Sequence, residues 1–230
     1  MLGLCYGDEP SLKFAQSVAR GLCHTAYRAS IDLAREKGPF LCLNRNRFGQ
    51  GIFIRTLPVD IHKGIQACGI RNSHLVSIAP TGTISLLANN VSSGLEPVFD
   101  FSYKRKVLDS DNRKREFELV DFAFRMWCEQ KGGGEMLPRH FISARDVAPE
   151  SHLEMQATLQ PCVDNAISKT INVPPDLGFE EFRSLYDLAY HRGLKGCTTF
   201  RPNPVTGEVL SVLDAASKAY HCCSINREAD

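Results

Sequence analysis

HLVSIAPTGTISLLANNVSSGLEP, residues 74–97, decides how the rest of this chain is read. Residues 74–79 have the apolar, β-branched content of a short buried strand. Pro80-Thr81-Gly82-Thr83 then punctuates the run as a turn, and Ile84-Ser85-Leu86-Leu87 opens a helix. That order leaves backbone N–H groups and hydroxyls at a helix start, which is local chemistry that binds phosphate. Gly82 lets a ligand approach the backbone, and Thr81, Thr83 and Ser85 offer hydroxyls. The helix dipole adds a partial positive charge. No Lys follows the glycine, so this is not a Walker A loop. The residues by themselves leave a second reading open: an ordinary strand-to-helix turn with a Thr cap.

The chain has 230 residues, 43% of them hydrophobic and 23% charged, as in an ordinary soluble globular protein. A net charge of +1 gives no reason to expect a nucleic-acid polymer as partner. No apolar run approaches the roughly 18–20 residues of a membrane span, and the N-terminus lacks a signal-peptide pattern. A cytoplasmic protein is expected. The nine cysteines include no CxxC, so no structural zinc site is expected. Cys5, Cys23, Cys42, Cys68, Cys128, Cys162 and Cys197 sit among apolar or small neighbours and read as packing residues. The seven histidines, His24, His62, His74, His140, His152, His191 and His221, are scattered and read mostly as surface or capping residues.

Outward from the opening stretch, residues 12–37 carry a helical stripe of Leu12, Ala15, Ala19, Leu22, Ala26, Ala29 and Leu33. Ser11 is the candidate N-cap and Gly38-Pro39 the stop. Residues 40–57 read as irregular, and Asp60 as the cap of a short helix closed by Gly69. SYKRKVL and RKREFELV, with Asp-Ser-Asp-Asn between them, predict a hairpin. Its Lys and Arg residues read as a solvated ribbon or, more sharply, as a basic patch facing a substrate. Helices are expected over 122–130, over 151–170 with a restart at Pro161, and over 179–191 with Phe179, Phe182, Tyr186 and Ala189 on one face. A second strand is expected at 194–200, followed by a mobile Pro/Gly-punctuated tail. Two strands make a poor sheet, so the chain reads as part of a larger α/β architecture completed by another polypeptide.

RNSHLVSIAPTGTISLLANNVSSGLEPVF resembles the large subunit of ribonucleotide reductase in its adenosylcobalamin-dependent, class II form. ASIDLAREKGPF at 29–40, QATLQPCVDNAISKTINVPP at 156–175 and GLKGCTTFRPN at 193–203 are similar to further segments of that family, in the same order. The resemblance implies an α/β fold: the helix-rich C-terminal portion of a ten-stranded α/β barrel, contributing about two barrel strands plus a surface hairpin. It implies a partial barrel over residues 1–203 and a flexible tail over 204–230. It implies that Pro80, Thr81, Gly82, Thr83, Ile84 and Ser85 bind the substrate phosphates, and that adenosylcobalamin is bound by the assembled enzyme.

One departure limits the resemblance. The family's radical chemistry uses an Asn-x-Cys-x-Glu loop, whose Cys becomes a thiyl radical and whose Glu is the general base. No cysteine here has Asn two positions before it. No catalytic residue is therefore expected in this chain. A larger reductase chain carrying the rest of the barrel is the implied partner. A split enzyme, a fragment of a longer polypeptide and a degenerate gene product all remain open, and Met1, which opens a family-like segment, favours a natural chain. Cys222 and Cys223 lie about twenty residues past the last expected strand, a flexible span of roughly 25 Å. A disulfide between neighbours is strained and readily reduced. By resemblance the pair is a shuttle fed by thioredoxin or glutaredoxin; the alternative is two thiols in a disordered tail. The function expected is a component that helps convert ribonucleotides to 2′-deoxyribonucleotides. The alternative is a non-catalytic nucleotide-binding or regulatory remnant of the fold.

Overall fold

The computed structural model describes residues 2–89, 93–108, 113–131, 136–201 and 210–212. Cys222 and Cys223 lie outside them. The first helix, α1 (Glu9–Lys37), is as long as expected, but Asp8 rather than Ser11 is its N-cap. Ser11 lies inside the first turn, and its hydroxyl donates to the Asp8 carbonyl at 2.8 Å. Gly38 ends the helix at φ 80°, a conformation that costs glycine little. The stripe is only half as expected. Leu12, Ala15 and Ala19 pack inward, but the C-terminal half buries Cys23, Tyr27, Ile31 and Ala34 instead of Leu22 and Leu33. The neighbouring line of the helix takes the core there, with Tyr27 and Ile31 as its large side chains.

Residues 40–57 are not irregular throughout: α2 (Arg45–Gly49) and α3 (Ile52–Arg55) form there. Asn44 caps α2 by accepting from the Arg47 N–H. α4 (Val59–Cys68) begins after Pro58, with Asp60 in its first turn rather than at the cap, and ends at Gly69. These short helices close a core with α1 in which Tyr27, Ile31, Ile54, Ile61, Ile65 and Ile70 are buried.

After α5 (Gly82–Leu87), β1 (Ser102–Leu108) and β2 (Lys114–Val120) pair antiparallel from Ser102↔Val120 to Leu108↔Lys114, as the hairpin signal predicts. β5 (Leu210–Val212), expected within the mobile tail, instead pairs with the other edge of β1. α6 (Phe122–Lys131) follows β2 directly. Buried Asp121 caps it by accepting from the Phe124 N–H at 2.8 Å. Phe101 and Phe141 pack against Phe124 and join the hairpin to α6.

The region 151–170 departs most from expectation. α7 (Pro149–Leu159) and a single 3₁₀ turn at Gln160–Cys162 stop at Val163. The chain then runs extended into β3 (Thr170–Asn172), which pairs parallel with β4 (Thr198–Phe200). α8 (Phe179–His191) lies between them in sequence and buries Leu185 and Ala189, while Phe179 is exposed.

Residues 74–79 were expected to form a strand. They join this sheet by only one parallel bridge, Ile78↔Ile167. The reason is a change of hydrogen-bond partner. The Leu75 and Val76 N–H groups donate to the Asp164 carboxylate at 2.8 and 2.9 Å, not to a neighbouring carbonyl. Gln160 Nε2 likewise donates to the Val163 and Asn165 carbonyls, and Gln156 Nε2 to the Gly196 carbonyl at 2.8 Å. Side chains thus take the place of some rungs over 74–77, 163–166 and 194–197, while the Asn165 N–H still donates to the Val76 carbonyl at 3.1 Å. The expected count of two barrel strands becomes two paired strands, β3 and β4, plus one bridged segment, and no closed barrel is present among the described residues.

These three segments run side by side with one face covered. Val76, Ile78, Val163, Ile167 and Ile171 point under α1, α7 and α8. Alternate residues Ser77, Ala79, Ala166, Ser168, Gly196 and Thr198 lie exposed on the other face.

Candidate functional site

The loop at 80–85 follows the carboxyl end of the first parallel segment, the edge where open parallel sheets bind ligands. Thr81 is its hinge. It takes the left-handed conformation, φ 49° and ψ 26°, uncommon for a β-branched residue. The Thr81 hydroxyl accepts from the Gly94 N–H at 2.8 Å, so it faces the returning chain rather than capping α5. Of the alternative reading, a Thr-capped turn, the structure keeps the position, since Thr81 is the N-cap residue of α5, but not a side-chain cap bond. Ser85 N–H donates to the Thr81 carbonyl at 2.8 Å and starts the helix. The N–H groups of Gly82, Thr83 and Ile84, in the first turn, have no intrahelical acceptor. Around the Gly82 α-carbon the space is open, with nothing within 4 Å of where a Cβ would stand. Pro80, Thr83 and Ile84 are exposed, and Thr81 and Ser85 are half-buried. The six expected residues thus share one exposed loop at the sheet's edge.

What holds that loop is the return segment 93–97. Gly94 has φ +56°, and a Cβ on it would stand 2.6 Å from the Ala79 carbonyl oxygen, so only glycine fits without a shift. The Tyr6 hydroxyl donates to the Leu95 carbonyl at 2.8 Å. Glu96 reaches into the sheet: its carboxylate accepts from the Thr170 N–H at 2.6 Å and forms an ion pair with Lys169. The Lys169 side chain is fully buried, and its ammonium also donates to the Thr170 carbonyl at 2.6 Å. Burial pushes the Lys169 ammonium below the ordinary lysine range, and the Glu96 carboxylate pulls it back up.

Sequence reading passed over Asp164, Lys169 and Glu96 as individual residues, although all three sit in the quoted motifs. The available signal was charge inside apolar strand-like runs, Val163-Asp164 and Ile167-Ser168-Lys169. Asp164 takes the Tyr27 hydroxyl at 2.8 Å as well as the two N–H groups. Lys195 Nζ caps the carbonyls of Val163 and Asn165.

His152 corrects the surface reading of the histidines. It is fully buried on α7 against Tyr6, and desolvation with the nearby Lys169 charge lowers its pKa from 6.5 to about 4. Its Nε2 lies 3.4 Å from the Ala144 carbonyl, and its Nδ1 has no hydrogen-bond partner among the described residues. Of the cysteines, Cys23, Cys128 and Cys162 are buried as expected, but Cys42 is exposed. Burial, with Cys162 and Asp164 beside it, pushes the Cys23 thiol up to about 11. Among the described residues, no group of three His, Cys, Asp or Glu could hold a metal ion, and no helix is long and apolar enough to cross a membrane.

An exposed loop at the carboxyl edge of parallel segments, on a sheet with helices on one face, defines the class: an α/β fold whose second face is open among the described residues. The barrel-domain model of ribonucleotide reductase matches residues 1–200, and the chain belongs to the ribonucleotide reductase family. It is 32% identical over 228 residues to the vitamin B12-dependent ribonucleoside-diphosphate reductase of Mycobacterium tuberculosis, covering 91% of this chain and 30% of that protein. A protein of the same name from Thermoplasma acidophilum is 28% identical over 233 residues, 94% of this chain and 28% of the other. A vitamin B12-dependent ribonucleotide reductase of Streptomyces avermitilis is 24% identical over 257 residues, covering 91% and 27%. The chain spans under a third of the length of these relatives.

Proposed function

We propose that this chain is the C-terminal part of the barrel of an adenosylcobalamin-dependent ribonucleotide reductase and helps convert ribonucleotides to 2′-deoxyribonucleotides. The observation that carries the reading is the placement of Pro80, Thr81, Gly82, Thr83, Ile84 and Ser85. They sit in one open loop at the carboxyl edge of parallel segments, in a chain matched to the reductase barrel. In this reading the first-turn N–H groups and the hydroxyls hold the substrate phosphates. Holding one end of the nucleotide fixes the position of its ribose, so proximity is this chain's part in catalysis.

The rest of the barrel, on the same or a separate polypeptide, supplies the thiyl cysteine and the general-base glutamate. Two features support such a partner. A parallel sheet is normally covered on both faces, and here one face is exposed. On α1, Phe14, Val18 and Leu22, spaced by four, form a second apolar line left 45%, 45% and 64% exposed. Adenosylcobalamin, when bound, supplies the radical. The small side chains of the open face, Ser77, Ala79, Ser168 and Gly196 among them, leave room for a bulky cofactor and a nucleotide against it.

Cys222 and Cys223 in the tail restore the active-site dithiol, taking electrons from thioredoxin or glutaredoxin. The alternative of a decayed remnant is disfavoured by the intact Gly82 and Ser93-Gly94. The test is reconstitution: combine the chain with the upstream barrel and adenosylcobalamin, and follow deoxyribonucleotide formation. Dependence on this chain is expected; undiminished activity without it would overturn the reading. Changing both Cys222 and Cys223 to Ser should abolish turnover with thioredoxin and spare turnover with a small dithiol. Equal loss with both reductants would reject the shuttle.

A further inference from the structure

The phosphate loop has little packing of its own. In α5, Ile84 is 65% exposed and Leu87 is 90% exposed. Its left-handed Thr81 is nonetheless held, and the hold can be followed atom by atom into the core. Thr81 Oγ1 takes the Gly94 N–H at 2.8 Å. Gly94 belongs to a turn closed by the Glu96 N–H donating to the Ser93 carbonyl at 3.0 Å. One oxygen of Glu96 takes the Thr170 N–H at 2.6 Å, and the other pairs with Lys169. Lys169 is itself tied to the Thr170 carbonyl at the start of β3. Its side chain is fully buried, whereas Glu96 keeps 23% exposure, so the glutamate bridges the core and the loop.

We propose that Glu96 and Lys169 are positioning residues for the 80–85 loop: the buried pair fixes the 93–97 turn, and Gly94 of that turn holds Thr81 in the conformation that presents the Gly82–Ile84 amides. The proposal rests on the phosphate reading of the loop for its consequence, but not for its geometry. Cutting the pair on either side loosens the turn, which the Tyr6 hydroxyl still holds at the Leu95 carbonyl. A buried ion pair is weak support for stability as such, because apolar replacement of both partners is often neutral or stabilising. Stability and positioning can therefore be separated.

The experiment uses the full chain and four forms: wild type, Glu96→Gln, Lys169→Met and the double variant Glu96→Met/Lys169→Met. Urea unfolding reports stability, amide exchange at Gly94 reports the turn, and titration with inorganic pyrophosphate reports the loop. The single variants should be less stable, exchange Gly94 at least tenfold faster than their stability loss explains, and bind pyrophosphate at least tenfold more weakly. The double variant should recover stability but neither the Gly94 protection nor the affinity. A double variant with wild-type Gly94 exchange would overturn the proposal, leaving the pair as a fold staple only. If wild type fails to bind pyrophosphate, the phosphate reading fails, and Gly94 exchange still decides the positioning role by itself.

Discussion

Replacing Asp164 by Ala removes one acceptor from three donors at once. Its carboxylate holds the Leu75 N–H, the Val76 N–H and the Tyr27 hydroxyl, all within 2.9 Å. The three donors come from the extended segment ahead of the 80–85 loop and from α1, so Asp164 ties helix, sheet and loop approach together. Hydrogen bonds to a charged group contribute about 1.5–3 kcal/mol each, and the three are not additive. Water can reach the half-buried Leu75 and Val76 once the side chain is gone, which lowers their share. Tyr27 is 1% exposed, so its hydroxyl stays without a partner at a cost of about 1–3 kcal/mol. The expected loss for Asp164→Ala is about 3–4 kcal/mol, a large part of the 5–15 kcal/mol typical of a domain. Asp164→Asn keeps an acceptor oxygen and should cost about half as much. Tyr27→Phe leaves the carboxylate its two N–H donors and should cost about 1 kcal/mol. Urea unfolding of the chain, followed by circular dichroism, measures all three. An Asp164→Ala variant within about 0.5 kcal/mol of wild type would refute the claim that this carboxylate substitutes for sheet pairing.

Other consequences can be checked in the same way. His152 titrates near 4 in the fold and near 6.5 unfolded, so the unfolded chain binds its proton first and stability falls as pH drops from about 6.5 to about 4. That gap corresponds to about 3 kcal/mol, present in full above pH 6.5 and lost below pH 4. His152→Phe should flatten this part of the stability–pH curve, and an unchanged curve would exclude His152 as its source. Gly94→Ala sets a Cβ 2.6 Å from the Ala79 carbonyl at φ +56° and should cost about 1–3 kcal/mol, with weaker pyrophosphate binding. Wild-type affinity in that variant would mean that the turn does not shape the loop.

The sequence by itself determined the parts that depend on local chemistry. Helix α1 was legible from its long apolar period and its Gly38 stop, and the β1–β2 hairpin from two β-rich runs around a polar turn. The loop at 80–85 was legible because proline and glycine interrupt an apolar run at fixed places. Family membership was legible because several segments matched in order, and no single one of them would have sufficed.

Only the tertiary structure decided the rest, because partners far apart in sequence compete with local ones. Residues 163–169 read as helix from their neighbours, yet Gln156 of α7, Gln160 of the 3₁₀ turn, Lys195 and the backbone of Val76 and Ile78 take their polar groups and draw them out straight. Residues 74–79 read as strand, yet Asp164, 88 positions from Val76, takes the Leu75 and Val76 N–H groups. Period alone could not say which of two adjacent apolar lines on α1 faces inward. Packing against α4 chose the line of Tyr27 and Ile31, and left Phe14, Val18 and Leu22 outside. Nor could a lysine in a strand-like run announce that it would be buried on a glutamate 73 positions away. That pairing is a property of the fold, and in it lies the connection between the core and the loop.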